Sequence, residues 1–75
     1  AEKARRNEES KARAQKQALE RERKEVEARI MELEEKVEEM EASFDEDTPR
    51  EVYTEYGELR AEIEGLYARW EELVD

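Results

Sequence analysis

The side chains with chemical potential in this chain are carboxylates, amines, guanidinia and a few aromatics; histidine and cysteine are absent. That absence removes thiolate nucleophiles, imidazole ligands, disulfides and every histidine-dependent proton shuttle. Paired glutamates are abundant, yet general acid/base work needs an enclosure that shifts a carboxyl pKa. No phosphate-cradling G-x-x-x-x-G-K-[ST] loop occurs, and the two glycines, Gly57 and Gly65, stand eight apart within a helical pattern. The acidic run Asp45-Glu46-Asp47 suggests a cation site, but it lacks the glycine and the distal glutamate of a calcium loop, so it reads as solvated turn charge. No catalytic residue, metal ligand or cofactor is expected, and no small-molecule substrate.

Two sets of residues remain as candidates for binding. Lys3, Arg5, Arg6, Lys11, Arg13 and Lys16 form the cation cluster best able to meet phosphate. The plainer reading of the same residues is a ladder of intrahelical pairs with Glu2, Glu8 and Glu9. Tyr53 and Tyr67 flank an apolar seam, where an aromatic ring covers the core edge and leaves its hydroxyl wet, making them a possible partner surface.

The elements that must carry these side chains follow from composition. Charged residues make up 51% of 75 residues with one proline, and mean hydropathy is −1.29, the signature of long helices or coiled coils with little core. No apolar run approaches the ~20 residues that span a bilayer, so no membrane partner is expected. Residues 1–25 hold nine Lys/Arg and six Glu, a net of +3; residues 26–75 hold five and eighteen, a net of −13, together the −10 of the whole. A basic limb is thus joined to an acidic body.

Leu19, Val26, Ile30, Leu33, Val37, Met40 and Phe44 recur at spacings of 7, 4, 3, 4, 3 and 4. Ile30, Val37 and Phe44 take heptad position a, and Val26, Leu33 and Met40 take d. A second seam of Val52, Tyr56, Leu59, Ile63, Leu66, Trp70 and Leu73 matches it in length. Between them Thr48-Pro49-Arg50-Glu51 reads as a capping box with proline at the first helical position. A proline inside one continuous helix would cost ~3 kcal/mol, so the chain is expected to fold back.

The expected fold is all-α: an antiparallel coiled-coil hairpin over residues 21–75, with helices about 21–44 and 49–74 and a turn at 45–48. Residues 1–20 form a basic overhanging helical limb or linker. Pairing a with d across the turn sets Phe44 against Val52, Met40 against Tyr56, Val37 against Leu59, Leu33 against Ile63, Ile30 against Leu66 and Val26 against Trp70. In that alignment Glu34 approaches Arg60 and Lys36 approaches Glu62, while Arg29 near Arg69 is a like-charge mismatch. Tyr56 and Trp70, at a positions, read as core.

The segment Leu66-Tyr67-Ala68-Arg69-Trp70-Glu71-Glu72-Leu73 resembles the closing L-Y-x-x-W-E-x-L pattern of the C-terminal domain of ABC-F ATPases. The basic first helix, the Ile30-x-x-Leu33-Glu34 seam, the acidic break and the returning helix are similar to that domain in order and length. Where that domain has a D-P turn, this chain has Asp47-Thr48-Pro49, and its body is more acidic than in the basic members. The resemblance implies a cytoplasmic ABC-F ATPase that acts on ribosomes as a translation factor, with this hairpin as a non-catalytic accessory domain. Its partners would be the rest of that ATPase and ribosomal or other nucleic acid, RNA or DNA, met through the basic limb. From the residues alone, a structural or protein–protein coiled coil without a nucleic-acid role stays open.

Overall fold

A computed structural model describes the chain from residue 2 to residue 74, and its side chains from residue 9 to residue 74. Two helices, α1 (Glu2–Ser43) and α2 (Arg50–Val74), run antiparallel in a rod of 71 × 17 × 14 Å. Helix α1 is 42 residues and α2 is 25, so the N-terminal part of α1 projects beyond the end of α2.

Each seam residue of a two-helix rod is covered from one side only, and burial follows from that. Val26, Ile30, Leu33 and Val37 are buried, with Leu33 at 0% exposure, while Val52, Tyr56, Leu59, Ile63, Leu66, Trp70 and Leu73 are all half-buried. Full burial of a leucine such as Leu33 contributes roughly 1.5–3 kcal/mol. Trp70 reaches Glu27, next to Val26, and Tyr56 reaches Glu41, next to Met40, as the a-to-d alignment requires.

The turn closes differently from a capping box. The Thr48 hydroxyl turns back to Asp45, accepting from its backbone N–H at 2.8 Å and donating to Oδ1 at 3.2 Å, while Asp47 N–H donates to the same carboxylate at 2.9 Å. Asp45 takes the hydroxyl because α1 stops at Ser43, leaving the Asp45 N–H outside the helical ladder. Helix α2 opens with Val52 N–H on the Pro49 carbonyl at 3.1 Å. Phe44 plugs this end, its ring 4.7 Å from Tyr53 and edge-on to Tyr56 at 5.1 Å.

The charged flanks also depart from expectation. Arg60 pairs with Glu41 at 3.4 Å rather than with Glu34, and Glu62 pairs with Arg29 at 3.2 Å rather than with Lys36. The expected Arg29–Arg69 clash is relieved because long guanidinium side chains reach along the rod. Arg29 leans toward Glu62, and Arg69 grips Glu22 with Nη2 at 2.8 and 2.9 Å and Nε at 3.0 Å.

Candidate functional site

On one flank of α1, Glu27, Glu34 and Glu41 recur every seven residues, and each accepts a hydrogen bond from an aromatic of α2. Trp70 Nε1–H donates to Glu27 at 2.9 Å, the Tyr67 hydroxyl donates to Glu34, and the Tyr56 hydroxyl donates to Glu41. Arg60 lies over the Tyr56 ring at 5.6 Å and donates to its hydroxyl at 3.0 Å. The hydrogen bond to Glu34, followed by desolvation and the carboxylate's charge, holds the Tyr67 hydroxyl above the ordinary tyrosine pKa.

These contacts place the two candidate tyrosines. Tyr67 is 43% exposed and, with Glu34, separates two shallow hollows, one lined by Val37, Ile63 and Glu64 and the other by Met31 and Trp70. Tyr53 stacks on Phe44 at the turn, and its hydroxyl donates to the Asp45 carbonyl at 3.5 Å. The two rings are 14 residues, about 21 Å, apart along α2, so they form two local surfaces rather than one patch.

The opposite flank pairs Glu22 with Arg69 and Arg29 with Glu62, and both arginines also take a carboxylate of their own helix, Glu72 and Glu32 respectively. These neighbours raise the pKa of both guanidinia, which stay charged at any working pH.

Of the basic cluster, the side chains of Lys3, Arg5 and Arg6 lie outside the described residues. Lys11, Arg13 and Lys16 are exposed on the projecting part of α1, and none of the ion pairs among the described residues involves them. At 3.6 residues per turn, Lys11 and Arg13 are about 160° apart, with Lys16 about 60° from Arg13. The cations wind round the helix instead of lining one stripe.

Among the described residues no group of three or more acidic side chains is placed to hold a metal ion, and no helix is long and apolar enough to cross a membrane. Sequence reasoning missed the row of aromatic donors on Glu27, Glu34 and Glu41. The seven-residue spacing of those glutamates opposite two tyrosines and a tryptophan was the available signal. Comparison with protein-family models, with curated proteins and with solved structures finds no match to this chain.

Proposed function

We propose that this chain is a non-catalytic helical-hairpin interaction module whose projecting basic limb meets the phosphate backbone of nucleic acid, as an accessory domain of an ABC-F-type ATPase would. One observation carries the nucleic-acid part: Lys11, Arg13 and Lys16 are exposed around a helix that extends from the hairpin beyond the end of its partner helix. Cations wound round a helix suit a groove with phosphate on both walls, and a duplex major groove admits one helix. The acidic body is repelled by the same phosphates, so contact is confined to the limb. The ABC-F assignment is supported by the Leu66–Leu73 pattern alone.

Reversing Lys3, Arg5, Arg6, Lys11, Arg13 and Lys16 to Glu is expected to abolish binding to duplex DNA or a ribosomal RNA fragment. Helicity and melting of the hairpin should be little changed, since none of the residues buried between α1 and α2 is touched. Before reversal, the log–log dependence of affinity on salt should have a slope magnitude of about 3–5 if four to six phosphates are neutralised. Unaltered binding after reversal, or a flat salt dependence, sinks the limb as a phosphate-binding element.

A purely protein-binding coiled coil is the second reading. The observation that favours it is Leu19, which continues the α1 seam beyond α2 and is 49% exposed.

A further inference from the structure

We propose that a second copy of this chain packs on the solvent-facing flank of α1, the limb of each copy lying antiparallel on the acidic flank of the other.

The seam positions do not stop where α2 stops. Counting back from Val26 and Ile30, Arg23 and Lys16 take position a while Leu19 and Ala12 take d, so the limb and the turn of α1 that joins it to the hairpin carry a stripe of Ala12, Lys16, Leu19 and Arg23 spaced 4, 3 and 4. The flank of α1 that bears the aromatic-capped Glu27 and Glu34 carries Glu27, Met31, Glu34 and Glu38, spaced 4, 3 and 4. Antiparallel, the two stripes meet residue for residue. Arg23 falls on Glu27 of the second copy, Leu19 on Met31, Lys16 on Glu34 and Ala12 on Glu38.

Three independent features agree with that alignment. Leu19 at 49% and Met31 at 72% are the most exposed large apolar side chains of the chain's described residues, and they fall in one layer, beside the half-open ring of Tyr67. The limb presents two cations where the flank presents three carboxylates, and the copies differ in sign over this length. The Arg23 and Glu27 side chains, 3.8 Å apart on one helix, are 39% and 47% exposed, so both keep a part open to a second copy. In the pair, Arg23 and Glu27 of both copies gather about the axis, where the open part of each guanidinium meets the other copy's carboxylate.

Geometry selects a second copy over the chain's own limb. Because α1 is one continuous helix in a rod 71 Å long, residues 12–23 cannot fold back on residues 27–38 of the same chain. The pairing is reciprocal, so it closes with two-fold symmetry after two copies. It stands apart from nucleic-acid binding, being testable with protein alone, although Lys16 belongs to both surfaces.

Mixing single-cysteine chains, Leu19→Cys with Met31→Cys, under mild oxidation should give a disulfide heterodimer. Leu19→Cys alone should not crosslink to itself, since position 19 of one copy and position 19 of the other are about 18 Å apart along the axis. By sedimentation equilibrium the natural chain should be a dimer at high concentration, weakened by salt. Lys16→Glu should weaken it on the order of tenfold, and Lys16→Glu combined with Glu34→Lys should restore it, with helicity monitored by circular dichroism. A monomer at every concentration overturns the proposal. So does self-crosslinking of Leu19→Cys in preference to the mixed pair, or a charge swap that fails to restore the dimer while helicity is kept.

Discussion

Glu34 and Tyr67 show how an exposed polar pair adds direction to a seam that is otherwise only apolar. The carboxylate accepts the tyrosine hydroxyl across the two helices, and together with Glu27–Trp70 and Glu41–Tyr56 it ties three levels of the rod on one flank. Each of these donors is the polar tip of a ring whose body covers the core edge, so removing the tip leaves packing in place. Because the Tyr67 pKa is raised, the neutral hydroxyl is the form the fold favours. Its contribution is fully present below the ordinary tyrosine value of 10.0 and is lost as pH climbs through the raised value. Titration of Tyr67 by its ultraviolet or NMR signal should therefore lag behind that of a free tyrosine, and Glu34→Gln should bring it back toward 10.0. A Tyr67 that titrates normally in the unaltered chain would show that the bond to Glu34 is not held in solution.

At the scale of the element, the two helices owe their stability to different things. The central part of α1 contains all four buried residues among those described, whereas α2 is half-buried along its whole seam and carries Gly57 and Gly65 in its interior. Neither glycine has a positive φ, and a Cβ built on either meets nothing within 4 Å. Both therefore cost α2 backbone entropy without a compensating close approach. Gly57→Ala and Gly65→Ala should each stabilise the hairpin, by about 0.8–1 kcal/mol, read as a rise in the thermal or urea midpoint. A fall on either substitution would mean that the face bearing that glycine is packed against something in solution. The limb is the third kind of segment, helical in the structure yet lacking large apolar side chains before Leu19, and so dependent on alanine-rich propensity and continuity with the buried part of α1.

For the whole molecule the decisive property is that two helices give a line of contact and no interior. Side chains meet across one seam, and among the described residues no charged side chain is buried. The alignment of the helices has a direct test, because cysteines placed at Ile30 and Leu66 should crosslink within one chain under oxidation. Crosslinks formed only between chains would replace the hairpin with an intermolecular coiled coil.

Much of this molecule was legible in the order of its residues. The two matched 3,4 spacings, with Pro49 between them, determined two helices, their antiparallel sense and an alignment that brings Trp70 to the level of Val26 and Tyr56 to that of Met40, because apolar periodicity and a missing backbone N–H act locally. The same charge count separated a basic limb from an acidic body. What only the tertiary structure decided lies on the flanks and in the turn: Arg60 on Glu41, Arg29 on Glu62, Arg69 on Glu22, the aromatic donors on Glu27, Glu34 and Glu41, and the Thr48 hydroxyl on Asp45. Those partners are chosen by long, rotatable side chains that span a turn of helix in either direction. Heptad arithmetic places their Cα atoms but leaves their ends free, and the end finds whichever opposite charge or acceptor the packed rod brings nearest.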